Sequence, residues 1–253
     1  MKNQKITFTT ILAGLSLLCA AAAPKAFGVV PPPDGGYPGF NTAEGQSALF
    51  SLTTGTYNTA AGIYSLLSLT EGNFNTATGA GTLLVNTADG NTATGAAALL
   101  NNTTGFNNTA NGGFALFANI AGNGNTADGA SALFSNTTGN QNTAIGLGAL
   151  ANNSFGNNNT AIGYQALVDN TTGTSNTALG FAAGNSVTSA NSVIAIGTAG
   201  ANVNNSCFIG HIRGVQTANA DAIPVLIDSL GSTGHDQFVA PVQERDQANE
   251  QSK

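Results

Sequence analysis

The chain has 253 residues, a formal net charge of −6 and six Lys or Arg in all. None of those cations lies between Lys25 and Arg213, so this stretch cannot neutralise a nucleic-acid backbone or an anionic membrane. Length and composition alone would allow one or two globular domains, but an internal repeat replaces that reading.

In chain order, Lys2 and Lys5 precede an apolar run from about Ile6 to Ala23 and a small-residue zone ending Ala26-Phe27-Gly28. This predicts a secretory signal peptide over residues 1–28, cleaved after Gly28. The run is short for a membrane span and Val29-Val30-Pro31-Pro32-Pro33 follows it closely, while Leu18 before Cys19 argues against a lipidation site. With the signal removed, Cys207 is the only cysteine, so an exported chain has no intrachain disulfide. A Pro/Gly-rich linker is read over residues 29–40.

From Asn41 the tripeptide Asn-Thr-Ala recurs nine times in register, at Asn41, Asn58, Asn75, Asn91, Asn108, Asn125, Asn142, Asn159 and Asn176. The spacing is 17 residues, with one slip to 16 after Asn75 and an out-of-register copy at Asn86 inside the short unit. A period this short predicts one rung of a stack per unit, over residues 41–190. Counted from each Asn, the fifth place is Gly, the ninth is Leu in eight units, the tenth is apolar in the same eight and the fifteenth is commonly Gly. The glycines fit two chain reversals per unit, read as positions of positive φ. Stacked Asn and Thr side chains can form ladders between rungs. Two glycines with several Asn and Thr per unit oppose a helical repeat by roughly 0.5–1 kcal/mol each.

The adjacent apolar places nine and ten read as a strand apolar on both faces. One coil encloses only one of them, and a continuous apolar stripe exceeds what a soluble monomer exposes. Nine rungs about 4.8 Å apart form a rod of roughly 40 Å. The expectation is an all-β parallel β-roll or solenoid of about nine 17-residue repeats, closed into a homotrimer with the column of Phe117 and Phe134 inside the assembly. Residues 191–235 are read as a neck or collar. Residues 236–253, seven of which are charged or Pro, are read as a disordered, dispensable tail.

The units Asn142-Thr-Ala-Ile-Gly146, Asn159-Thr-Ala-Ile-Gly163 and Asn176-Thr-Ala-Leu-Gly180, followed by Asn191-Ser-Val-Ile-Ala-Ile-Gly197, resemble the head repeat of YadA-like trimeric autotransporter adhesins. The resemblance covers roughly residues 41–210. It implies a left-handed parallel β-roll, three chains side by side, displayed on the bacterial surface for attachment. The earlier units depart from the pattern, with Glu44, Thr78, Asn111 or Asp128 in place of the Ile. The segment from Cys207 to Gly231 is similar to the junction that precedes a self-cleaving intramolecular chaperone domain of fibre proteins. The serine- and basic-rich sequence that should follow is replaced by Asp236 to Lys253.

Candidate chemistry is sparse. His211 and His235 are the only histidines, and a Cys207–His211 nucleophilic pair needs a third, orienting group. Cys207 is instead read as a buried small apolar residue at a Val-like strand place, and His211 as a structural or turn residue. Glu44, Glu71, Asp89, Asp128 and Asp169 do not recur at one place, which predicts no calcium ladder and no paired-carboxylate site. The sequons Asn102-Thr-Thr104 and Asn170-Thr-Thr172 read as by-products of the repeat.

The expectation for function is a non-enzymatic structural or adhesive fibre segment without catalytic residues, metal or cofactor. It is secreted or held at the bacterial cell surface, binding an extracellular matrix protein, a glycan or another surface, with no nucleic-acid partner and no transmembrane anchor in the mature chain. An ice- or glycan-binding solenoid is the alternative, drawn from the column of second-place Thr. Paired Thr-x-Thr in that strand occurs only at Thr76–Thr78 and Thr92–Thr94.

Overall fold

The computed structural model describes residues 38–210. The residues read as a signal peptide, the linker up to Tyr37, the later part of the expected neck with His211 and His235, and the expected tail lie outside the described residues. Each in-register Asn-Thr-Ala supplies a strand of three residues: β1 (Thr42–Glu44), β2 (Thr59–Ala61), β3 (Thr76–Thr78), β4 (Thr92–Thr94), β5 (Thr109–Asn111), β6 (Thr126–Asp128), β7 (Thr143–Ile145), β8 (Thr160–Ile162) and β9 (Thr177–Leu179). Two more, β10 (Val193–Ile196) and β11 (Ser206–Ile209), complete one 11-stranded sheet in sequence order, parallel throughout. The pairing is in strict register, Thr42 on Thr59, Ala43 on Ala60 and so on, and the 16-residue unit leaves it intact with Thr76 on Thr92. Ten steps of about 4.8 Å give a β-solenoid whose sheet runs about 48 Å. The ladder passes Ala190, where the repeat fades, and continues to Ile209.

Inside the coil sit the third-place alanines, the eighth-place alanines and the ninth-place leucines, with Leu66, Leu83, Leu99, Leu116, Leu133 and Leu150 fully enclosed. The ninth place is not part of a strand, as the apolar pair suggested. Leu116 has φ of 51° and Leu133 of 52°, and the seventh place, Phe114 and Ser131 among them, is also positive. Alternation of left-handed residues with ordinary ones turns the backbone bonds along the stack: Leu116 N–H donates to Ala132 O at 2.9 Å and Ala118 N–H to Phe134 O at 3.0 Å. The left-handed region costs a branched residue about 1–2 kcal/mol, and burial of a leucine returns about 1.5–3 kcal/mol. Leu therefore goes in and its tenth-place neighbour out, the division a strand would also have made.

Two columns of buried asparagine line the same interior. Asn125 N–H and Nδ2 both donate to Asn108 Oδ1, at 2.9 and 3.2 Å, and Nδ2 also reaches across the coil to Gly139 O at 2.8 Å. From the twelfth place Asn136 Nδ2 donates to Asn119 Oδ1 at 2.8 Å and to that same Gly139 carbonyl at 3.0 Å. From the Asn91 rung to the Asn159 rung one glycine oxygen thus closes each rung by accepting from both columns, while in the Asn75 rung the Ala88 carbonyl takes that place. This sets the requirement at the fifteenth place. Its glycines do not have positive φ, unlike those at the fifth, such as Gly129 at 139°. A Cβ on Gly139 would collide with Asn136 Oδ1 and the Gly156 carbonyl.

The out-of-register Asn86 is the first member of the twelfth-place column, accepting from Asn102 Nδ2 at 2.6 Å and donating to Asn75 Oδ1 at 3.3 Å. Before it the place is apolar, Leu52 and Leu69, and after Asn170 it becomes Val187. Every buried side-chain nitrogen and oxygen among the described residues has a partner.

Candidate binding surface

The sequence candidates for chemistry do not converge. Cys207 is exposed, which corrects its reading as a buried Val-like residue. The last strand is one residue shorter between its Asn and its Ile-Gly end, so β10 and β11 align Cys207 with outward Ile194. The inward place opposite Ala195 goes to Phe208, which packs on the core. Among the described residues no three His, Cys, Asp or Glu gather into a metal-sized group. Glu44 and Asp128 both stand at the fourth place, on β1 and β6, five strands apart. Asp89 Oδ1 accepts from Asn73 N–H at 2.7 Å, standing in for an asparagine of an outer amide column. In that column the earlier rung donates to the later one, as Asn123 N–H does to Asn140 Oδ1 at 2.8 Å, opposite in sense to the inner ladder. The sequon asparagines Asn102 and Asn170 are buried in the twelfth-place column, where a glycan has no room.

What the rod offers is its outward columns. The second place is Thr on β1 through β9, in register. At the tenth place Phe50 and Phe134 are exposed, while Phe117 is half-buried because its ring stacks on Phe134 at 5.2 Å and meets Phe114 at 5.8 Å. The fourth and sixth places change character along the rod. They are Asn111 and Gly113 on β5 and its turn, Asp128 and Ala130 on the next, then Ile145 and Leu147, Ile162 and Tyr164, Leu179 and Phe181. The last six are all exposed, and the Tyr164 and Phe181 rings stack at 5.2 Å. A second aromatic row occupies the seventeenth place at the start of the rod, with Phe40, Tyr57 and Phe74 stacked.

Sequence reasoning did not single out the seventeenth-place row or the apolar flank of β7 to β9. The signal was present as a column of like residues at fixed spacing, but it becomes a surface only once the outward places are known. The end of the coil near Pro38 also opens on a cavity of about 300 Å³ lined by Leu49 and Leu52. No protein-family description, curated protein or solved structure matches this chain. Among the described residues no helix is long and apolar enough to cross a membrane.

Proposed function

We propose that this protein is a non-enzymatic structural or adhesive fibre segment that presents one long, regular surface to a partner outside the cell. The observation that carries the reading is the division of labour in each rung. The buried amides are consumed in ladders that hold the rod, whereas the second-place threonines stand outward in register, one per step over nine strands. Many weak contacts in a row suit attachment, because each further rung engaged adds to avidity without a new site having to be built.

The assembled form in this reading is a homotrimer. Its support is the apolar surface that one chain leaves outside: Phe134 with its half-buried neighbours at the tenth place, and Ile145, Ile162, Leu179 and Phe181 on the flank. Contiguous exposed apolar side chains of this kind mark interaction surfaces more often than free surface. Export to the bacterial surface rests on the amino-terminal sequence and on the adhesin-like repeats.

Light scattering on the purified full chain tests the assembly, with a mass of three chains expected. Retention of that assembly on surfaces coated with matrix proteins or glycans tests attachment. Turnover of a glycan or peptide that disappears in Cys207→Ala would overturn the non-enzymatic reading.

A further inference from the structure

Most repeated residues of the nine rungs have an inward reason for being constant: Asn for the ladder, Ala and Leu for the core, Gly for close approach. The second place is different, because it faces out and is still Thr in all nine. A strand favours a β-branched residue there but does not distinguish Thr from Val or Ile. Nor is the hydroxyl needed internally. Thr103 at the thirteenth place donates its Oγ1 to Ile120 O at 2.9 Å, yet among the described residues no second-place Oγ1 has a partner in the chain. Each is a free donor and acceptor.

On the other side of the buried ladder asparagine, two residues before Thr42, Thr59 and Thr76, stand Phe40, Tyr57 and Phe74. They are 78%, 51% and 64% exposed. Their rings lie 5.2 Å apart and within 10° of parallel. The row ends where the repeat loses a residue, since the next member of the column is Gly90, and Phe74 has no further ring above it.

We propose that these three rings and the adjoining threonines form a track for a linear, uncharged polysaccharide lying along the rod. The inference rests on the attachment reading above and names its ligand and site. The three rings are stacked, their faces turned largely toward one another and their edges outward, so the row is an apolar ridge along which the C–H groups of a pyranose can lie while its rim of hydroxyls meets the row of free Thr hydroxyls. A step of 5.2 Å per ring is comparable with the advance of one hexose in an extended chain, so successive sugars meet the same groups. Charge selects the neutral class: no Lys or Arg occurs from Ala26 to Ile212, and Glu44, Glu71 and Asp89 belong to the same rungs. An acidic polysaccharide finds nothing there to pair with and is repelled.

The test is depletion of the full chain from solution by microcrystalline cellulose and by chitin, with immobilised heparin as the anionic comparison. Retention on at least one neutral polymer and none on heparin is expected. Tyr57→Ala with Phe74→Ala should weaken retention about tenfold or more, and Thr59→Val with Thr76→Val about threefold or more, by loss of one element of the track each. Phe181→Ala, and Thr143→Val with Thr160→Val, should bind as the parent chain. All these side chains are outside the core, so circular dichroism and the thermal midpoint should stay unchanged.

Failure to bind either neutral polymer, preference for heparin, or retention indifferent to the ring and threonine variants would each overturn the proposal. So would a ring variant that changes the mass by light scattering without weakening retention, because the row would then be a contact between copies. A chain that adheres to protein-coated surfaces but ignores both polymers overturns the track alone, and one that adheres to nothing overturns the attachment reading with it.

Discussion

Strands β1 to β6 and strands β7 to β9 share most of one interior, the twelfth place with Leu52 and Leu69 at one end and Val187 at the other being the exception, and differ in their exterior. In both, Ala and Leu fill the coil and Asn rungs close on a glycine carbonyl, as Asn108 does on Gly122 and Asn159 on Gly173, both at 2.8 Å. Outside, the fourth place runs Glu44, Ala61, Thr78, Thr94, Asn111 and Asp128 before it changes to Ile145, Ile162 and Leu179. The interior is held constant because each side chain must meet its own copy one step along. The exterior is released from that condition, so a solenoid can carry different surfaces on successive rungs without redesigning its core.

Breaking the shared interior should have the largest effect and the same size in both regions. Leu99→Ala and Leu150→Ala each remove a fully buried side chain and should cost about 2–5 kcal/mol in denaturant unfolding of the full chain. Costs that differ by more than about 2 kcal/mol, a spread that site-dependent relaxation reaches, would show that the interior is not uniform.

Next in size is a break in the ladder. Asn125→Ala takes the acceptor from Asn142 N–H and Nδ2 and one of two donors from the Gly139 carbonyl. It should destabilise by about 2–4 kcal/mol, since a buried donor left unmade costs about 1–3 kcal/mol and the neighbouring bonds weaken with it. Hydrogen exchange should show the loss spreading to Asn108 and Asn142. Protection that stays unchanged on both sides would contradict a continuous ladder.

The exterior should separate the two regions. Ile162→Asp with Leu179→Asp should lower the mass of the assembly in light scattering, while Thr78→Asp with Thr94→Asp leaves it unchanged. Phe134→Asp distinguishes the tenth-place column from the flank, because only the column that meets another copy will dissociate it. All three leave the fold of one chain within about 1 kcal/mol, as surface substitutions do.

The smallest change sharpens the comparison. Asn111→Ile with Asp128→Ile carries the apolar flank two rungs toward the amino terminus, with folding stability altered by no more than about 0.5 kcal/mol. If the flank is a contact between copies, the assembly should then persist to lower concentration than before; an unchanged or weaker assembly would show that the contact does not extend over β5 and β6.

Much of this was legible from residues alone. A 17-residue period with Gly and Leu in fixed places determined a parallel stack and its first nine rungs, because such a unit cannot bury its apolar face without a neighbour; β10 and β11, past the last Asn-Thr-Ala, fall in the stretch read as neck and continue the same sheet. The outward course of the tenth place and the ladders between stacked amides also followed from the pattern. Other points needed the folded chain. The fifteenth-place glycines were read as φ-driven, although Gly139 is required by the approach of the next rung's carbonyl. Asn86 looked like a stray copy of the motif and is the founding residue of a second ladder. Cys207 was placed inward by its distance from the preceding Asn, and its true direction followed from pairing at the Ile-Gly end.

By itself, then, the sequence determined periodicity, the parallel stack and the residues that must repeat, since those depend on the spacing of like residues along one dimension. Only the tertiary structure decided which of two adjacent places turns left-handed, which asparagines share one glycine oxygen, and which outward columns lie side by side. Those outcomes depend on distances across the coil, between residues about 14 positions apart as Asn125 and Gly139 are, and no local propensity encodes them.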